Sequence, residues 1–153
     1  MTLVAFPLAM QDRMKQVLRR AGPREIGGIL MGQQLAAGHF SIIDFSVDEI
    51  SGDRAHFVRD VEHHHQALEQ FFDRTGHDYR TFNYLGEWHS HPNFPSRPSV
   101  TDLCSMQELV DGEREIEFAI LLIVKLRFLF GLKASASLHR RGLMPETVKL
   151  AAD

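Results

Sequence analysis

The sequence predicts an α/β fold, a mixed β-sheet flanked by helices. Three observations carry this expectation. Helical and strand-like periodicities alternate along the chain instead of falling into separate blocks. Two early strand-like segments are joined by a short glycine-containing stretch that can turn a hairpin. The most apolar segment, Glu115 to Lys125 (EIEFAILLIVK), reads as a central strand.

The elements follow in order. Met10, Met14, Val17, Leu18 and Ala21 recur at helical spacing and predict a helix over 8–21, stopped by Gly22-Pro23. Glu25–Gln34 and His39–Ile50 read as strands, with Ala36-Ala37-Gly38 between them. From Asp60 to Arg74 the period is helical, with Val61, Leu68, Phe71 and Phe72 on one stripe and Gly76 as its end. Thr81–Trp88 reads as a strand running into His89-Ser90-His91-Pro92, where proline ends regular pairing. Residues 93–98 are loop, and Ser99–Val110 is a helix closed by Asp111-Gly112. Arg127–His139 reads as a further strand pair or one long bent strand. In the tail, Pro145-Glu146-Thr147 is expected to open a short helix. No repeat or low-complexity linker interrupts residues 1–153, which read as one domain.

Composition bounds the function. Apolar residues make up 44% and charged residues 24%, the balance of a chain that can bury a core. Seventeen Lys+Arg stand against 20 Asp+Glu, and the basic residues make only pairs, Arg19-Arg20 and Arg140-Arg141. Nucleic-acid binding needs a concentrated basic face, so nucleic acid is not expected as a partner. The single cysteine, Cys104, cannot form an internal disulfide, which suits a reducing, cytoplasmic setting. No membrane association is expected: Phe118–Val124 is too short to span a bilayer, and Met1–Ala9 lacks the basic start of a secretory signal.

The chemistry concentrates in Glu87 to Asp102, E-W-H-S-H-P-N-F-P-S-R-P-S-V-T-D. His89 and His91 are two apart, so on an extended chain both imidazoles face one way. Asp102 follows across a proline-stiffened loop, near the start of the next helix. Two imidazoles and one carboxylate suit Zn²⁺ with a fourth position left for water, whose pKa the ion lowers. Ser99-x-x-Asp102 also reads as a helix capping box. The two readings of Asp102 are compatible, because a carboxylate in a first turn is favoured by the helix dipole and can still face an ion.

These residues resemble the signature of the JAB1/MPN/Mov34 (JAMM) metallopeptidases: an upstream Glu, then H-[ST]-H-P, seven residues, a Ser, two residues and an Asp. His89-Ser90-His91-Pro92, Ser99 and Asp102 fit without a gap, and Glu25-Ile26-Gly27-Gly28-Ile29-Leu30-Met31-Gly32 is similar to the Glu-bearing first strand of that family. The resemblance covers roughly residues 10–135 and implies the MPN/JAB fold, which is cytidine-deaminase-like. It implies that His89, His91 and Asp102 hold zinc and that Glu25 is the general base and acid. It implies that the Ser99 hydroxyl stabilises the oxyanion, and leaves Ser90, facing away from the imidazoles, in a supporting role.

Other residues compete. Glu87 has the strand parity of His89 and His91, so spacing alone leaves it open as ligand or base; the family pattern favours Glu25. His63-His64-His65 cannot converge on one ion from a helix, where neighbours diverge by about 100°; His64 and His65 are expected to be partly buried or groove-lining. Cys104 is expected to pack as a small apolar residue and Trp88 to lie in the core, as are the phenylalanines generally.

The implied activity is a zinc peptidase cutting after the C-terminal tail of a ubiquitin-like or ligase-conjugated protein. Tyr84-x-Gly86-Glu87-Trp88-His89-Ser90-His91-Pro92 looks most like small bacterial JAB proteins, and among them the deconjugating peptidases of type II CBASS anti-phage operons. Products of an E1/E2-like ligase are the partners this implies. A peptidase acting on a ThiS/MoaD-like sulfur carrier would use the same site. A non-catalytic MPN scaffold is the contrasting class, and the full ligand set speaks against it.

Overall fold

The structure, a computed structural model, describes residues 2–48, 61–128 and 130–152, and of residues 61–64 the backbone only. The elements are β1 (Leu3–Ala5), α1 (Leu8–Ala21), β2 (Gly27–Ala36), β3 (His39–Phe45), α2 (Val61–Arg74), β4 (Phe82–Ser90), α3 (Val100–Gly112), β5 (Phe118–Leu126), β6 (Leu132–Arg140) and β7 (Glu146–Ala151). The expected mixed α/β arrangement is present, but the sheet curls into a closed barrel in the order β1-β3-β2-β4-β5-β6-β7. β1 runs parallel to both β3 and β7, and β4 parallel to β5; the other neighbours are antiparallel.

The main core draws on all seven strands, with Val4, Leu30, Ile42, Leu85, Trp88, Ile120, Leu138 and Val148 among its members, and on Met14, Leu18 and Ala21 of α1. Burying such side chains is worth about 1.5–3 kcal/mol each and fixes the curl of the sheet. Two smaller clusters lie on the other face. Met106, Leu109 and Val110 of α3 pack on Ala119, Leu121 and Ile123 of β5. Phe71 of α2, with Leu68 and Phe72 beside it, packs on Ile29 and Met31 of β2.

One irregularity positions everything that follows. Leu30 pairs with Gly86 but Met31 pairs with Tyr84, so Leu85 is an extra residue in β4. This bulge inverts the alternation of side chains. Before it, Phe82 and Tyr84 pack with the α2 cluster while Leu85 enters the main core; after it, Trp88 enters the core and Glu87 and His89 turn to the other face.

Several expectations need correction. The 127–139 segment is neither a strand pair nor one long bent strand: β5 ends at Leu126, and β6 is a single strand starting at Leu132. The tail forms β7 and not a helix, because Val148 and Leu150 face the main core while Thr147 and Lys149 point out, a period of two. β1 had no expectation at all; Val4, Ala5 and Phe6 are buried there. β3 ends at Phe45, and residues 49–50 of the expected strand lie outside the described residues. The phenylalanines are not uniformly core, since Phe94, Phe128 and Phe130 are exposed. Cys104 does not pack as a small apolar residue; it is exposed on α3.

Candidate metal centre

His89 lies inside β4, and His91 follows it with its backbone N–H still donating to the Val124 carbonyl of β5. Both rings are therefore fixed by the sheet and almost fully buried. Their Nε2 atoms are 3.2 Å apart. Asp102, in the first turn of α3, places one carboxylate oxygen 3.1 Å from His89 Nε2 and the other 3.1 Å from His91 Nε2. Glu25, buried just before β2, lies farther off, with Oε1 3.9 Å from His89 Nε2.

The helix start explains how Asp102 arrives there. Ser99 is the N-cap: its Oγ accepts from Asp102 N at 3.1 Å, while Asp102 Oδ2 accepts from Ser99 N at 2.8 Å. The expected capping box is present, and the same carboxylate also faces the two imidazoles. Ser99 uses its oxygen as acceptor, so its own proton stays available to donate.

Two further contacts aim the site. His91 Nδ1 donates to the Pro95 carbonyl at 2.9 Å, which turns Nε2 toward Asp102 and His89. Ser90, buried on the opposite face, accepts from Ile26 N through its Oγ at 3.0 Å, and its own N–H donates to the Ile26 carbonyl at 2.8 Å. That clamp holds Glu25 beside His89. Pro95 and the Ser90–Ile26 clamp were not legible as orienting groups in the sequence, beyond the loop's run of prolines.

The electrostatics favour a cation. Burial pushes the Asp102 carboxyl up, but hydrogen bonds and charge interaction with the two histidines and the Ser99 N–H hold it well below the usual carboxylate range. Burial lowers the His91 imidazole, yet the Asp102 hydrogen bond and charge, the Pro95 carbonyl and Glu25 raise it on balance.

The donor set fits one small divalent ion. Zinc bonds of about 2.0–2.1 Å at tetrahedral angles put neighbouring donor atoms ~3.3 Å apart. The two imidazole Nε2 atoms meet that spacing, and each has one Asp102 oxygen 3.1 Å away. Glu25, His89 and His91 also form a compact group, with donor atoms all within 4.8 Å. The 3.9 Å reach of Glu25 is long for a shared ligand sphere and suits a group one hydrogen bond outside it.

A pocket of about 550 Å³ surrounds these residues. Leu121 and Met106 form an apolar part of its lining, Thr101 and Ser105 add hydroxyls from α3, and Glu87 lies along β4 from His89. None of these lining roles could be read from spacing, save the parity of Glu87. Trp88 is fully buried, as expected, and its indole N–H donates to the Ser46 carbonyl at 2.8 Å. His65 is not groove-lining: it is exposed and sits 3.1 Å from Glu69. The side chains of His63 and His64 lie outside the described residues.

The chain is 34% identical over 103 residues to a CD-NTase/cGAS isopeptidase of Vibrio cholerae serotype O1, an alignment spanning 65% of this chain and 61% of that protein. Its structure is similar to the solution structure of protein DSY2949 from Desulfitobacterium hafniense, with a TM-score of 0.69 at 19% identity, covering 98% of this chain and 94% of that one. The model of the prokaryotic homologs of the JAB domain matches residues 7–136, and the chain belongs to that family.

Proposed function

We propose that the protein is a zinc-dependent isopeptidase. It cuts the amide bond joining the C-terminal tail of a ubiquitin-like or ligase-conjugated protein to an amine, within a cytoplasmic bacterial anti-phage conjugation system. The observation that carries the reading is the convergence of the His89 and His91 Nε2 atoms, 3.2 Å apart, with one Asp102 oxygen 3.1 Å from each and Glu25 3.9 Å from His89. The similarity to a CD-NTase/cGAS isopeptidase of Vibrio cholerae supports the substrate class.

His89, His91 and Asp102 hold the ion. When bound, zinc supplies Lewis acidity toward water and the scissile carbonyl. Glu25 accepts a proton from the attacking water and delivers it to the departing amine nitrogen as the carbon–nitrogen bond breaks. The Ser99 hydroxyl, its oxygen already engaged by the helix start, donates to the oxyanion of the tetrahedral intermediate. An extended tail fits a zinc site at a strand end through main-chain hydrogen bonds.

The test is a CD-NTase whose C-terminus is fused to a fluorescent reporter, incubated with zinc-loaded enzyme and the cut located by mass spectrometry. Cleavage is expected directly after the CD-NTase C-terminal residue. Glu25→Gln should retain zinc and fold while losing about 10²–10⁴ in rate, and Glu87→Gln should lose less. An inactive Glu87→Gln beside an active Glu25→Gln would reassign the base. Turnover surviving both chelation and Glu25→Gln would remove the reading.

A further inference from the structure

The loop from Pro92 to Pro98 is braced at its middle and its ends. Phe94 N donates to the His91 carbonyl at 3.4 Å, the Pro95 carbonyl accepts from His91, and Lys125 Nζ donates to the Phe94 carbonyl at 2.9 Å. Pro92, Pro95 and Pro98 fix three φ angles, and the Ser99 cap closes the segment. The Phe94 ring stands edge-on to His91, with centroids 6.0 Å apart, yet is 52% exposed. From this fixed loop Arg97 reaches the pocket lining.

Among the described residues, Arg97 is the one arginine or lysine lining that pocket. It is exposed, and among the described residues it has no hydrogen-bond or ion-pair partner. The arginines that brace the fold differ: Arg13 and Arg74 share Asp44, and Arg140 pairs with Glu146. A guanidinium presents a planar fork that matches a carboxylate with two parallel hydrogen bonds. Held on a rigid loop, it loses less freedom on binding than a mobile side chain would.

We infer that Arg97 is a specificity residue that selects substrates carrying a carboxylate within two residues of the scissile bond. The inference rests on the isopeptidase reading of the same site. The carboxylate has two possible sources, an Asp or Glu side chain or the terminal carboxylate of a short leaving group.

The experiment uses the fusion described above, with Glu, Gln or Lys placed in turn within two residues on either side of the mapped cut. A second arm replaces the reporter by a single amino acid, as free acid or as amide. Zinc-loaded wild type, Arg97→Ala, Arg97→Lys and Arg97→Glu are compared, and affinity is read by anisotropy of labelled peptides on a Glu25→Gln background. Arg97 is exposed on a loop, so these variants should fold. Wild type should favour the carboxylate by about tenfold over its neutral isostere, the scale of a charge-assisted hydrogen bond, mainly through KM and matched in the anisotropy. Preference for Glu identifies the side-chain source, and preference for the free acid the terminal one. Arg97→Ala should abolish the preference, Arg97→Lys keep part of it, and Arg97→Glu reverse it toward Lys. No preference in wild type, or one unchanged in Arg97→Ala, would overturn the inference while leaving the isopeptidase reading intact. A fusion that is neither cut nor bound in any form would remove that reading, and the inference with it.

Discussion

Asp102 shows how much one side chain can carry. Its two oxygens face two imidazoles, and one of them also caps α3 through the Ser99 N–H. The helix start thereby fixes the carboxylate before any ion binds, which lowers the entropy lost on binding. His139 is the opposite case, a titratable group sealed from solvent. It is fully buried on β6, with Nε2 2.9 Å from Ser137 Oγ and Nδ1 lacking a hydrogen-bond partner among the described residues. Burial lowers its pKa below the ordinary 6.5. The sign follows from linkage: the unfolded chain binds a proton more readily than the fold does, so this stabilisation is present above pH ~6.5 and is lost as pH falls through the folded value. Urea titrations at pH 7.5 and 5.5 should show the parent losing more stability on acidification than His139→Gln. Equal losses in the two proteins would refute the buried neutral histidine.

Within β4, the bulge at Leu85-Gly86 is the device that aims the site. A side chain at Gly86 could not be accommodated, because a Cβ there would stand 1.8 Å from the Ile120 carbonyl oxygen of β5. Gly86→Ala must therefore part β4 from β5 or slide its register, and a slip of one residue would turn His89 toward the core. The expected loss is more than about 3 kcal/mol, beyond ordinary overpacking, with metal binding lost as well. Gly112→Ala, whose Cβ meets open space at the end of α3, should be neutral or gain up to about 1 kcal/mol. Thermal denaturation with metal analysis compares the two; a well-folded, zinc-replete Gly86→Ala would show that the bulge does not set the site. Gly28, matched to the family signature, has a similar cause: a Cβ there would lie 2.0 Å from the Ser46 carbonyl that also receives the Trp88 indole.

Across the whole molecule, the three proposed ligands and Glu25 come from separate parts of the chain: the approach to β2, the end of β4 and the start of α3. No unfolded chain brings them together, so an ion bound here stabilises the fold by mass action. Free zinc at a hundred times its dissociation constant adds about 2.7 kcal/mol, or about 5–10 °C in Tm for a chain of this size. Chelation should lower Tm by that amount in the parent. His89→Ala and Asp102→Ala should carry no zinc, start at a low Tm and show no further drop. Full zinc occupancy in either variant would refute its ligand role. Closure of the barrel underlies this coupling, since β1 bridges β3 and β7 and leaves no free edge between the first and last strands.

The sequence by itself determined what local spacing can determine. Helical periodicity placed α1 over 8–21 without error, and Ser99-x-x-Asp102 announced a capping box that is present. The two-residue spacing put His89 and His91 on one face, and the family signature gathered Glu25, Ser99 and Asp102 around them. Tertiary structure decided the rest. β1 and β7 are short and weakly patterned, and each is a strand because its neighbours supply hydrogen-bond partners across the sheet closure. The exposure of Cys104 depends on how α3 meets β5, which residue type does not reveal. The carbonyl that orients His91, the clamp that seats Glu25 and the bulge that turns His89 outward are contacts between segments distant in sequence or loops without periodicity. Periodicity reports which face of an element is buried; it carries no information about what that face meets.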